Sequence, residues 1–131
     1  MELQAALAVQ QIHQNRHGTI DLIGLLEKCS PAELPFVIDK LYVYTVWKCD
    51  YEDLVEMLGF TVTLRDPDRR PIGESLLGTP QQAVSRCDRQ ISIATEFANI
   101  RFDTCGEHVF EIVYGGTVVQ SLSLLMEPEL L

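Results

Sequence analysis

The feature that most constrains the fold is a paired glycine, Gly115-Gly116, between two segments of alternating residues near the C-terminus. Glycine readily adopts the positive φ values that a tight hairpin turn requires. Residues 106–128 are therefore predicted to form a β-hairpin. Because a two-stranded hairpin alone is marginal in water, this one needs a second sheet to cover its apolar face.

The alternation of apolar residues along the two strands of the hairpin predicts an irregularity in their pairing. A strict two-residue loop would place Leu122 and Leu124 on the opposite face from Phe110, which splits the apolar side chains between both faces. One additional residue reverses the parity of everything after it. Either a three-residue loop over 114–116 or a bulge near Val118-Val119 therefore restores a single core face.

Further strands are predicted from alternation and from β-branched and aromatic content. Gly24 interrupts one of them and marks a bulge or a close approach. Pro71 lies in a segment, 70–77, that is expected at a sheet edge because proline cannot donate to a ladder. The other predicted strands cover residues 2–12, 19–26, 41–49, 58–65 and 91–97. Residues 2–12 are also good helix formers by intrinsic propensity, so a helix is the alternative there, and the period of two favours the strand.

The connections are predicted from turn chemistry. Asp66-Pro67-Asp68-Arg69 has proline at its preferred turn position. Short helical turns are expected over 50–58 and from Thr79-Pro80 onward, and an apolar loop over 98–105 closes one end of the core. The chain is thus predicted to be all-β: an antiparallel two-sheet β-sandwich of about seven or eight strands with Greek-key-like connections, forming one domain over residues 1–131.

Charge and cysteine content narrow the function classes. Ten basic and nineteen acidic residues give a formal charge of −9, which opposes binding to nucleic acid or anionic membranes. No segment has membrane-spanning length and the N-terminus is unlike a signal peptide, so a cytoplasmic protein is expected. The four cysteines are widely spaced without a CxxC motif, which favours free thiols and predicts no metal or cofactor: Cys29, Cys49, Cys87 and Cys105.

Several segments together resemble a known family. They are ALAVQ (6–10), HGTIDLIGLLEK (17–28), LPFVIDKLYVYTVW (34–47), VTLRDPDRRPIGE (62–74) and FDTCGEHVFEIVYGG (102–116). Their order is similar to that of a family of small uncharacterised bacterial β-sandwich proteins, a domain of unknown function. The resemblance implies an immunoglobulin-like or C2-like sandwich, and it implies no activity.

Two arrangements could carry chemistry. Cys105 and His108 could form an activated thiol if they met within hydrogen-bond reach, but His108 has the parity of a core residue. Asp66, Asp68 and Asp103 could bind calcium if their loops converged, although turn formation alone accounts for them. Neither arrangement matches a catalytic motif, so a non-enzymatic protein is expected, with a calcium-dependent binding domain and a Cys105 thiol enzyme as the alternatives.

The segment LYVYTVWKC, residues 41–49, gives the clearest functional indication. Both of its faces are bulky, which is typical of a central covered strand or of an interface. Tyrosine and tryptophan are enriched at protein interfaces. The sequence therefore predicts an interaction or accessory module that self-associates or binds a protein partner, with Tyr42, Tyr44 and Trp47 as the candidate interface.

Overall fold

The computed structural model describes residues 2–48, 60–74, 79–80 and 90–129. These residues form two packed β-sheets, which confirms the predicted two-sheet β-sandwich. The strands are β1 (Glu2–Gln14), β2 (Ile20–Leu25), β3 (Lys28–Cys29), β4 (Phe36–Lys48), β5 (Phe60–Arg65), β6 (Pro71–Glu74), β7 (Thr79–Pro80), β8 (Gln90–Phe102), β9 (Gly106–Tyr114) and β10 (Thr117–Met126). Eight of them have four or more residues.

Each sheet has five strands. The first, called sheet A, has the order β2-β1-β4-β8-β7, and the second, called sheet B, has the order β3-β10-β9-β5-β6. The strand with Pro71, β6, lies at the edge of sheet B, as proline requires. All pairings are antiparallel except that of β3 with β10, which is parallel, so the expectation of a purely antiparallel sandwich is wrong at this edge.

The glycine hairpin joins β9 and β10 and contains the predicted bulge. Tyr114 pairs with Thr117 across a two-residue loop, and both glycines have positive φ, 62° and 78°. The register then shifts between Val118 and Gln120. Val119 is the additional residue, and it returns Leu122 and Leu124 to the inner side. Of the two predicted solutions, the bulge is the correct one.

The core lies between the sheets and is closed by aromatic side chains. Phe97 meets Phe110 edge-on with ring centroids 5.7 Å apart, which joins sheet A to sheet B. In β1 the core-facing residues are the small Ala6 and Ala8, whereas Leu7 points outward and is exposed. A register shift between Leu3 and Ala5 precedes this parity.

Two predictions about the connections are wrong. Thr79 and Pro80 pair with Ala94 and Ile93 as a short strand, so these two residues are not the start of a helical turn. The remainder of that predicted turn, from residue 81 onward, lies outside the described residues. Residues 98–102 continue β8 to Phe102 and do not form a loop. Ile100 and Phe102 are nevertheless buried and close the core as expected. The helical turn predicted at 50–58 lies outside the described residues.

Candidate interaction surface

Strand β4 divides the three candidate interface residues between two faces. Trp47 points inward and is fully buried, with its ring centroid 5.0 Å from that of Phe60. Its Nε1 donates a hydrogen bond to Thr45 Oγ1 at 2.9 Å. A partner docking on the folded domain therefore does not meet Trp47. Tyr42 and Tyr44 lie on the opposite, outer face and are half-buried.

The outer face of sheet A is predominantly apolar around these tyrosines. Directly opposed residues of an antiparallel pair project from the same face. Tyr44 pairs with Leu7 on one side and Ala94 on the other. In the neighbouring row of paired residues across the sheet, Val9 lies between Tyr42 and Leu25, the last residue of β2. We call this surface the tyrosine face; it comprises Leu7, Val9, Ile23, Leu25, Tyr42, Tyr44 and Val46.

Hydrogen bonding and packing hold the tyrosine face in place. Tyr44 Oη donates to Ser92 Oγ at 2.8 Å, which ties β4 to β8 on this side. Val9 is fully buried although it lies outside the inter-sheet core, so its neighbours already cover it. The large side chains that remain open are Leu7, Ile23 and Leu25, at 39%, 44% and 56% exposure.

These three aliphatic residues were not predicted to lie at the surface. Leu7 belongs to the apolar parity of 2–12, and Ile23 and Leu25 belong to a nearly continuous apolar run over 19–26, but neither pattern tells which side of a strand faces the core. The available signal was that β1 carries alanines at 6 and 8, on the parity opposite to that of its larger apolar residues. Such a strand can be covered on both faces.

The structure separates the proposed thiol pair. Cys105 is exposed, whereas His108 is buried among core residues and its ring meets Phe102 edge-on at 5.1 Å. His108 Nδ1 lies 3.1 Å from the carbonyl oxygen of Gly106. Burial lowers the pKa of His108, opposed by the Gly106 carbonyl and the charge of Asp66. The imidazole therefore acts as a packed core group, whereas the Cys105 side chain is exposed.

Two of the three aspartates of the calcium alternative, Asp66 and Asp103, interact with the chain's own backbone or side chains. Asp66 Oδ1 accepts a hydrogen bond from the backbone nitrogen of Arg70 at 2.8 Å, which closes the β5–β6 turn. Asp103 pairs with the Arg101 guanidinium at 2.6 Å. Among the described residues, no group of three or more histidine, cysteine, aspartate or glutamate side chains could hold a metal ion.

The outer face of sheet B carries an open groove of about 500 Å³. Its charged side chains largely satisfy one another: Arg65 Nε lies 3.1 Å from a carboxylate oxygen of Glu111, and Ser123 Oγ donates to Glu107 at 2.9 Å. This groove presents mixed charge and no buried polar group awaiting a ligand among the residues that line it. It is a solvated surface in this structure.

Comparisons with known proteins place the chain in a family without assigning a role. In the part of the chain that the structure describes, there is no helix of the length and apolarity needed to cross a membrane. A search of the curated proteins and a search of the solved structures find no match. A family profile described as a family of unknown function, DUF6941, matches residues 4–127. The chain therefore belongs to the DUF6941 family.

Proposed function

We propose that this protein is an interaction module without catalytic activity that self-associates through the tyrosine face of sheet A. The single observation that carries the proposal is the continuity of this face. Tyr42, Tyr44 and three exposed aliphatic side chains occupy neighbouring positions on three adjacent strands. Contiguous exposed apolar surface on a folded domain marks an interaction site more often than isolated apolar residues do.

The size of sheet A suits a stable interface. Strands β1, β4 and β8 each have 13 residues. At about 3.3 Å per residue and about 4.8 Å between strands, they present roughly 600 Å² of flat surface. Side-chain relief and β2 add to this footprint, and a standard interface buries about 800 Å² per partner. Two copies stacked face to face would therefore bury enough surface for a dimer.

Charge favours a second copy as the occupant. The chain carries a net charge of −9, so most approaches of two copies are repelled. On the tyrosine side of sheet A, Glu96 is neutralised by Lys40, whose Nζ lies 3.5 Å from the Glu96 carboxylate. In a dimer with a two-fold axis, Lys40 of one copy can also lie opposite Glu96 of the other copy, and the symmetry repeats this contact. Two copies stacked through the tyrosine face therefore avoid the repulsion between acidic surfaces that is expected when other parts of the two copies meet.

Sedimentation velocity and light scattering over a micromolar to near-millimolar concentration series test the proposal. The wild-type protein is expected to shift from monomer to dimer. Ile23→Lys and Tyr42→Lys each place two like charges in the dimer interface, because each copy contributes one. Each variant should weaken dimerisation by at least about tenfold.

Val118→Lys is the matched control, because Val118 is 48% exposed but belongs to sheet B. It adds the same charge and should leave the dimer unchanged. Thermal unfolding of each variant verifies that the fold is intact. A wild-type protein that remains monomeric at every concentration, or a dimer that Val118→Lys weakens as much as Ile23→Lys, refutes self-association through this face.

A further inference from the structure

One edge of sheet B presents backbone groups at Ser121 and Ser123 of β10 that no strand of the described residues pairs. The nitrogens of Leu125, Glu127 and Glu129 donate to the carbonyl oxygens of Glu27, Cys29 and Pro31, at 2.9 Å in each case. These amides therefore point away from β9, toward β3. Backbone groups alternate sides along a strand, so the amides and carbonyls of Ser121 and Ser123 point the same way.

No strand covers these groups in the described part of the chain. Strand β3 pairs only with Leu125 and Met126 of β10. Before Lys28 the chain leaves this edge, because Leu26 donates instead to Ala8 of sheet A at 2.8 Å. Both serines are exposed. An open row of this kind is a template for pairing with an added strand.

A groove runs beside this open edge, between the two sheets. It has a volume of about 180 Å³, and it is lined by Leu7, Ala8, Leu25, Leu26, Glu27, Ser121, Leu122 and Ser123. The side of the groove that sheet A forms is apolar. It lies where β1 extends beyond the end of β2. A strand added to β10 would direct every second side chain inward, against Leu122 and these leucines.

The other side chains of an added strand would face outward, where the charged side chains that lie beside Ser121 and Ser123 include carboxylates. Ser123 Oγ donates to Glu107, so that carboxylate lies beside the open edge and is exposed. Arg65 already neutralises Glu111. Glu27, which lines the groove, is exposed. Positions that face outward therefore suit lysine or arginine, and positions that face inward suit valine or leucine.

We propose that the open edge of β10, at Ser121 and Ser123, binds an extended peptide segment of a partner protein in which apolar and basic residues alternate. The chain's own residues 27–31 already lie along β10 in this way, so the added strand continues an existing pairing. A second copy fits this edge less well, because it would bring another Glu27 and Glu107 beside the first pair.

Amide exchange measured by NMR on the intact, uniformly labelled protein tests the proposal. The probe is the acetylated and amidated peptide KVKLKVK, with the scrambled peptide KKKLVVK and the acidic peptide EVELEVE as controls. We expect fast exchange at Ser121 and Ser123 in the free protein, slowed at least about tenfold by saturating KVKLKVK. The scrambled and acidic peptides should have little effect.

A pair of variants separates backbone pairing from side-chain contact. Ser121→Pro removes the amide donor that faces the open edge and should weaken KVKLKVK binding by at least about tenfold. Ser121→Ala removes only the hydroxyl and should bind like wild type. If Ser121→Pro does not fold, as judged by its thermal unfolding, the wild-type exchange data decide the question.

Several results would overturn the proposal. Unchanged exchange at both serines with KVKLKVK shows that no strand is added. Equal binding of KVKLKVK and KKKLVVK shows only attraction between basic peptides and an acidic protein. Protection that rises with protein concentration in the absence of peptide shows that a second copy occupies the edge. The proposal can be tested apart from self-association, because Ile23→Lys is expected to weaken the dimer and changes no residue of the open edge.

Discussion

A buried hydroxyl makes Thr95 a sensitive test of the core geometry. Thr95 lies on β8 opposite Val43 and is 1% exposed, and its Oγ1 has no hydrogen-bond partner among the residues that the structure describes. Valine has nearly the same shape as threonine but no hydroxyl. Thr95→Val should therefore stabilise the protein, because it removes a polar group that gave up its water contacts without replacing them.

The magnitude follows from the cost of burying such a group. Protein substitutions place the cost of an unsatisfied hydroxyl at about 1–3 kcal/mol. We expect Thr95→Val to raise the free energy of unfolding by about 1–2 kcal/mol, since the core can relax slightly around the hydroxyl. For a domain of this size the melting temperature should rise by about 4 °C for each kcal/mol.

The same substitution at Thr45 provides a control, because there it is expected to lower the stability instead of raising it. Its Oγ1 donates to the carbonyl oxygen of Ile93 at 3.2 Å and accepts from Trp47 Nε1 at 2.9 Å. Thr45 is fully buried. Thr45→Val leaves the indole N–H without an acceptor and should lower the free energy of unfolding by about 1–3 kcal/mol.

Urea unfolding followed by tryptophan fluorescence measures both variants, because Trp47 is the single tryptophan of the chain and is fully buried. The midpoint should rise for Thr95→Val and fall for Thr45→Val at an unchanged slope. A Thr95→Val variant that is neutral or less stable than wild type would contradict the reasoning, because it would show that the Thr95 hydroxyl has a favourable partner such as a buried water.

Two further predictions concern the turn and the buried imidazole. Gly116 has a φ of 78°, and no atom of the described residues lies within 4 Å of an added Cβ, so Gly116→Val should lower the free energy of unfolding by about 1–2 kcal/mol through backbone strain alone, and Gly116→Asn clearly less, in the same urea assay. Burial lowers the pKa of His108 below 6.5, so the unfolded chain binds the additional proton and stability should fall as pH drops below 6.5. His108→Gln should flatten that fall between pH 7 and pH 5; an unchanged slope would show that His108 does not contribute to it.

The hairpin could be predicted because its determinants are local. Gly115-Gly116 fixes the turn, and the mismatch of parity between Phe110 and Leu122 requires one additional residue after it. The observed bulge at Val119 supplies that residue. No distant contact was needed to reach this conclusion, since period and turn chemistry act over a few residues.

The continuation of β8 to Phe102 could not be predicted from its own sequence. Its inward parity changes between Phe97 and Ile100, which predicts a bend near Ala98-Asn99 and a loop after it. In the structure β4 changes parity at the same level, between Ile38 and Leu41, and the pairing of the two strands keeps one register throughout. The strand therefore continues past the parity change together with its partner, which is visible only once the pairing is known.

The inward and outward faces of β4 raised the same difficulty. Both are apolar in sequence, so periodicity identified the two sets without ranking them. Trp47 faces inward because sheet B covers that side, where Phe60 and Tyr114 pack against the indole. Tyr42 and Tyr44 remain on the outer side. Which residues of β4 face outward therefore could not be predicted from this strand alone, since the covering sheet comes from elsewhere in the chain.

The two proposed surfaces are separate but share a border. Leu7 and Leu25 belong to the tyrosine face and also line the groove beside β10. A copy stacked on the tyrosine face would bury or reposition these leucines, which a peptide at the β10 edge would also contact. Binding at one surface must then change the affinity at the other, and by the same factor in both directions. Because a dimer would carry two such edges, one on each copy, a partner with two peptide segments would gain effective concentration from dimerisation.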